Sequence, residues 1–247
     1  MDFKEIYYPE TRFGGFCDID GVIIFYARVN ALLNTSDVVL DIGCGRGAYI
    51  NDQVQFRKGL RIFKNKCAKV IGIDVHQAAK DNPFLDEFRL IEQATWPIED
   101  ESIDLAVCDA VLEHIEHPDE FFYELKRVLK PGGYACLKTI NKHGYISMVS
   151  RIIPEKYHQF ILNRAQPNRK EEDIFKTYYH INTVGQVRKY FFTYGFDHCV
   201  YTHEAEPSYF AFSKILYWLG IQYQKYAPRM FRNALFAFGQ KMVSSNE

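Results

Sequence analysis

The chain has 247 residues, which suits one α/β domain with additions, and 47% of them are hydrophobic, enough for a sizeable core. A net charge near −1 argues against a general nucleic-acid binder. No run of about 18 apolar residues occurs, so no segment reads as membrane-spanning.

The N-terminal stretch MDFKEIYYPETRFGGF carries no basic region followed by an apolar one, so it does not read as a signal peptide. VIIFYARVNALL (22–33) predicts a helix leading into a first strand, Val38–Asp41, and a second helix is expected to begin near Gly45. Residues 52–66 are polar and basic and read as a helix broken at Gly59. AKVIGIDVH (68–76), EFRLIEQ (87–93) and SIDLAVCDA (102–110) read as strands two to four. DEFFYELKRVLK (119–130) carries a helical stripe of Phe121, Phe122, Leu125, Val128 and Leu129, which Pro131-Gly132-Gly133 is expected to stop. YACLKTI (134–140) is the fifth strand. Strands alternating with helices imply a mostly parallel sheet covered on both faces. Beyond it, residues 141–182 are basic and aromatic, and a helix runs from about Thr183 to Tyr194. HCVYTHEA (198–205) and SYFAFSK (208–214) read as a final hairpin that puts one antiparallel strand in the sheet. From Ile215 onward the tail reads as helical and apolar.

The six cysteines, 17, 44, 67, 108, 136 and 199, are scattered without metal-ligand spacing and read as small buried hydrophobes in a reduced, cytoplasmic setting. No metal site is expected.

VVLDIGCGRGAYI (38–50) is the most informative stretch. A buried strand runs into glycines 43, 45 and 47, which give the backbone positive-φ freedom and let a ligand approach closely. Gly43, Gly45 and Ala48 also fit a dinucleotide fingerprint. However, Asp41 just before the turn would oppose a pyrophosphate and suits a ligand carrying positive charge.

LDIGCGRG, VIGIDVH, WPIEDESIDLAVCDAVLEHIEHP and ELKRVLKPGGYACL, in that order, resemble a class I S-adenosylmethionine-dependent methyltransferase, most closely the broad group containing the ubiquinone and small-molecule methyltransferases. The likeness covers residues 35–140 strongly and 180–214 loosely. It implies a Rossmann-like, seven-stranded, mostly parallel sheet with one antiparallel strand and helices on both faces. It implies S-adenosyl-L-methionine as cofactor. Asp41 with Gly43, Cys44, Gly45 and Gly47 would hold its methionine part, and Asp74 its ribose hydroxyls. Ile73 or Val75 would flank the adenine, Glu92 and Gln93 would reach the adenine edge, and Asp109 and Ala110 would lie beside the methyl end. A single methyltransferase domain would then comprise an N-terminal lid (1–34, with Phe13–Phe16 and Tyr26 as lid residues), a cofactor core (35–140), a substrate-cap insertion (141–182), the end of the core (183–214) and a C-terminal helical tail (215–247).

Transfer to oxygen or nitrogen benefits from a base titrating near neutrality, and histidine suits this. Among eight histidines, His114, His143 and His180 are the candidates, with His117 beside the first. Asn141 is a candidate polar contact. Arg151, Lys156, Arg164, Arg169 and Lys170 form a basic patch that reads either as a solvated face or as a site for an anionic acceptor. In the tail, Phe212, Ile215, Leu216, Leu219 and Tyr223 recur at helical spacing. They either pack on the core or a second copy, or lie in a membrane interface. The expected activity is O-methylation of a small saccharide, lipid-linked or other anionic metabolite. N- or C-methylation, and a cofactor-binding partner subunit without turnover, are the alternatives.

Overall fold

The computed structural model describes residues 3–152 and 176–243. Seven strands form one sheet: β1 (Val38–Ile42), β2 (Lys69–Asp74), β3 (Glu87–Leu90), β4 (Ile103–Asp109), β5 (Leu129–Ile140), β6 (Phe196–His203) and β7 (Ala234–Lys241). Their spatial order is β3-β2-β1-β4-β5-β7-β6. β1 to β5 pair in parallel, and β7 runs antiparallel to both its neighbours. The helices are α1 (Phe3–Tyr7), α2 (Gly21–Leu32), α3 (Gln55–Arg61), α4 (Pro118–Val128), α5 (Tyr145–Ile152), α6 (Val184–Thr193) and α7 (Lys214–Tyr226).

Alternation along the strands divides the core in two. Leu40, Ile71, Ile73, Ala106, Cys108, Leu137 and Leu235 face α4 and α6, meeting Phe122, Leu125, Val187 and Phe191. Val39, Val70, Leu105, Val107, Cys136 and Phe236 face the other way, onto Phe25, Tyr26 and Val29 of α2. Asp20 caps α2 by accepting from the backbone N–H groups of Val22 and Ile23. Pro118 opens α4, where a missing N–H costs nothing. Buried Glu124 on α4 accepts from the Trp96 N–H at 2.6 Å, and Arg127 donates to the carbonyls of Trp96 and Ile98. The β3–β4 connection is thereby pinned to the helix.

Four local expectations are corrected. No α-helix starts at Gly45: the chain makes a short 3-10 turn over Ala48–Asn51, and the helix waits until Gln55. α3 then runs through Gly59, where backbone freedom alone does not break it. Pro131-Gly132-Gly133 is no helix stop, because α4 has already ended and β5 begun. The tripeptide bulges out of β5, which pairs Leu129 with Ile103 and then Tyr134 with Leu105.

The fourth correction concerns the last strand. SYFAFSK is not a strand; its first residues form a 3-10 turn and its last begins α7. The antiparallel strand is Ala234–Lys241, so the tail from 215 is a helix followed by a strand inserted between β5 and β6. Phe236 of β7 is fully buried against the rings of Phe25 and Tyr201. Phe236→Ala is expected to cost about 3–5 kcal/mol in denaturant unfolding. A loss within about 0.5 kcal/mol, as for a surface position, would contradict the placement of β7.

Candidate functional site

The strand order reverses between β1 and β4, and a cleft of about 1080 Å³ opens there at the carboxyl edge. Three adjacent strands bring an aspartate to it: Asp74 ends β2, Asp41 lies near the end of β1, and Asp109 ends β4.

The loop after β1 is held from below. The N–H groups of Gly43 and Cys44 both donate to the Ile73 carbonyl. Asn82 donates to the carbonyls of Cys44 and Gly45. Gly43 and Gly47 have φ of 66° and 68°, and a Cβ on either would meet Val111 Cγ2 at 2.4 Å or Asn82 Oδ1 at 2.6 Å. Both conformation and space therefore require glycine. Asp74 is almost buried; its Oδ2 accepts from the Gly45 N–H at 3.0 Å and its Oδ1 from the His76 N–H at 2.8 Å. The carboxylate is thus fixed in position with lone pairs remaining for a further donor.

Charge sets the rest of the floor. Lys138 bonds Asp109 Oδ1 at 2.6 Å, Tyr26 donates to Oδ2 at 3.1 Å, and Arg61 lies 3.9 Å from Oδ2. Burial pushes the Asp109 carboxyl up, but Lys138 and Arg61 overcome this and hold it below the usual range. Arg61 lies against the Tyr49 ring at 4.4 Å and the Tyr26 ring at 5.5 Å. Asp41 has no such cover. Burial raises its pKa to about 7; Arg61 works against the rise, and Asp109 and Asp74 add to it.

The opposite walls are Val75, Ile91, Gln93, Ala94 and Trp96 on one side and the turn after β4 on the other. Ala110 takes a left-handed conformation, φ 60°, to start that turn. Buried Glu113 secures it: the carboxylate accepts from Thr139, and the backbone carbonyl from the N–H groups of Tyr178 and Tyr179. His114 lines the cleft and donates from Nδ1 to the Lys176 carbonyl at 2.9 Å. A carbonyl can only accept, so the neutral ring carries its basic lone pair on Nε2.

These surfaces fit the group expected from the sequence. A fixed carboxylate beside an apolar slot suits a nucleoside diol and base, and an acidic floor suits a cation. Among the described residues no cluster of histidine, cysteine and carboxylate side chains has metal-binding geometry.

Of the residues expected at the site, Asp41, Gly43, Cys44, Gly45, Gly47, Asp74, Val75, Gln93, Asp109, Ala110 and His114 line the cleft, and His117 joins them. Glu92 does not; it is exposed and its neighbour Gln93 faces in. His143 lies outside, an exposed residue in the turn after β5. His180 is exposed behind the wall, donating from Nδ1 to the Glu116 carbonyl. Asn141 is buried away from the cleft, donating to the carbonyls of Met230 and Arg232. Of the expected lid, Tyr26 lines the cleft but Phe13 is 80% exposed, and Phe16 stacks on Phe56. The side chains of the basic patch, 151–170, lie outside the described residues. Arg61, Tyr49 and Lys138 carry no motif of their own, and their place at the floor appears only in the fold.

Residues 40–137 match the sequence profile of the methyltransferase domain family. The chain is similar to an uncharacterized 37.1 kDa protein in transposon TN4556 of Streptomyces fradiae, 39% identical over 101 residues, covering 38% of this chain and 27% of that one. It is also 27% identical over 157 residues to a ubiquinone biosynthesis O-methyltransferase of Acinetobacter baylyi, covering 55% and 60%. The chain thus spans less than two thirds of these curated relatives. Among solved structures it shares the fold of a chain in the complex between the Haloferax volcanii Trm112 methyltransferase activator and a methyltransferase, with a TM-score of 0.55, 17% identity and 92% of each chain covered. Together with the sheet order, these likenesses give the chain the class I S-adenosylmethionine-dependent methyltransferase fold.

A carboxyl whose folded pKa lies above its unfolded one stabilises the fold fully below about pH 4 and loses that contribution as pH rises through about 7. Asp41→Asn is therefore expected to flatten the fall in stability of the ligand-free protein between these values, read by urea unfolding. Parallel pH profiles for variant and wild type would contradict the assignment.

Proposed function

We propose that this chain, whose residues 40–137 belong to the methyltransferase domain family, transfers a methyl group from S-adenosylmethionine to a small-molecule acceptor, most directly to an oxygen of a saccharide, lipid-linked or other anionic metabolite. The observation that carries the reading is the fixed Asp74 carboxylate beside a glycine loop and an acidic floor. When bound, S-adenosylmethionine supplies a methyl group already activated on a sulfonium centre.

The chain's own residues then have positional work to do. Asp74 accepts from the two ribose hydroxyls, with both its oxygens already aimed by backbone donors. Val75 would flank the base and Gln93 would reach its edge. Asp41, Gly43, Cys44, Gly45, Gly47, Asp109 and Ala110 surround the amino-acid end. Asp41, with its pKa near 7, ionises readily when a cation replaces water beside it. His114 is the one expected base that faces the cleft; its Nε2 is assigned to take the acceptor's proton. His143 and His180 are not assigned that role. Residues 35–140 form the cofactor core, and the segment from 141 to 182 is assigned to cover the acceptor, its basic run suiting an anionic group.

Oxygen as the acceptor atom is supported by the Acinetobacter baylyi relative, which is named an O-methyltransferase. N- or C-methylation would use the same positioning without the same need for a base.

Incubation with methyl-tritiated S-adenosylmethionine and small-molecule acceptors bearing hydroxyl groups is expected to label the acceptor. Asp74→Ala is expected to weaken S-adenosylmethionine binding by about tenfold to a hundredfold, with the fold retained. His114→Ala is expected to lower turnover by about a hundredfold or more while cofactor affinity stays within a few-fold. Unchanged cofactor affinity in the Asp74 variant would remove the ribose assignment. Full turnover in the His114 variant would remove the base. Cofactor binding without transfer to any acceptor would favour a partner subunit over an enzyme.

A further inference from the structure

The segment between β6 and β7 leaves and rejoins the sheet at one edge. β6 ends at His203, which pairs with Ala234, and Ala234 pairs with Ile140 at the end of β5. Residues 204–233, including α7, therefore stand at the carboxyl edge of the parallel strands, the edge where the cleft opens.

α7 is fixed in its rotation. It buries Tyr217, Gly220 and Ile221. A Cβ on Gly220 would lie 2.5 Å from Pro207 Cβ, so the helix is seated as closely as its backbone permits. The opposite face is apolar and exposed among the described residues: Ile215 is 72% exposed, Trp218 47%, Leu219 49% and Tyr226 78%. These positions recur at helical spacing and form one stripe.

The charge within the excursion itself has one sign. No acidic residue occurs from Pro207 to Asn233, whereas Lys214, Lys225, Arg229 and Arg232 all fall there. The acids just before the segment are engaged elsewhere. Glu204 is buried and accepts from Asn233. Glu206 pairs with Lys4 at 2.6 Å and accepts from the Cys17 thiol.

We propose that this face docks on a lipid bilayer carrying anionic head groups, with the apolar stripe in the acyl boundary and the basic side chains at the phosphates. Aromatic residues and lysines around an aliphatic stripe are what an interfacial helix uses. A second copy of the chain is a poorer occupant, since a two-fold contact on this face would oppose Lys214, Lys225 and Arg229 to their own images. Docking in this way brings the carboxyl edge of the sheet to the membrane. The inference does not depend on the methyl-transfer reading, because vesicle binding is measured without cofactor or acceptor.

The test is sedimentation of the full chain with vesicles of phosphatidylcholine containing about one third phosphatidylglycerol, against vesicles of phosphatidylcholine alone. Binding is expected to the anionic vesicles and to fall with added salt. Trp218 is expected to give a blue shift in fluorescence, since the only other tryptophan, Trp96, is already buried. Ile215→Ser with Leu219→Ser, and separately Lys214→Glu with Lys225→Glu, are each expected to weaken binding by about tenfold or more, with the thermal unfolding of the protein unchanged. Absence of binding to anionic vesicles would overturn the proposal. So would binding that both double variants retain, or a concentration-dependent dimer that the Ile215/Leu219 variant abolishes without any vesicle binding.

Discussion

Three carboxylates at the ends of three adjacent parallel strands, Asp74 buried and Asp41 and Asp109 partly so, oppose one another's ionisation unless they are compensated. Asp109 is compensated by Lys138, with Arg61 and Tyr26 close by. Asp74 is held by two backbone N–H groups. Asp41, left between them, keeps its proton to about pH 7. Much of the surrounding structure serves this arrangement. The β1 loop turns tightly through glycines so that its N–H groups reach Ile73 and Asp74. α3 places Arg61 against the rings of Tyr49 and Tyr26. Lys138 lies on β5, in register with Asp109. A floor of this kind is poised for a cationic ligand, because a second positive charge ionises the remaining acid.

The strands and turns that build the cleft are legible in the sequence because their signals are local. LDIGCGRG and VIGID each combine a buried strand with the aspartate that lines the cleft at its end, and short spacing carries that information. The misreadings arose where local pattern and tertiary context disagree. SYFAFSK and ALFAFGQK are both short, apolar and aromatic, and either suits a strand. The sheet takes the second, whose Phe236 fills the space beside Phe25, while Phe210 of the first, with Pro207 just before it, seats Gly220 of α7. Gly132-Gly133 follows a helical stripe and resembles a stop signal, yet it lies inside β5, where Gly132 takes a positive φ and Gly133 relieves crowding against the carbonyls of Ile103 and Asp104. The histidines could not be ranked from sequence, since they stand on three separate connections, after β4, after β5 and before α6, and only the fold shows which of these faces the cleft. Arg61 was missed for the same reason: its partners lie at positions 26, 49 and 109, and only the fold brings them together.

Several connections of the chain meet at the carboxyl edge of the sheet. The glycine loop, the turn after β4, the start of the 141–182 segment and the excursion between β6 and β7 all emerge there. α5 and α7 are joined at that edge by Tyr145, whose ring lies against Phe210 and Tyr223. The floor of the cleft belongs to the strands, and these segments are appended around it.

The most direct test of the account is calorimetric titration of the purified protein with S-adenosylmethionine near pH 7, in buffers of different ionisation enthalpy. The account predicts binding accompanied by release of a substantial fraction of one proton, as Asp41 ionises beside the incoming cation, and loss of that release in Asp41→Asn. Binding with no proton release, or no binding of S-adenosylmethionine at all, would contradict it.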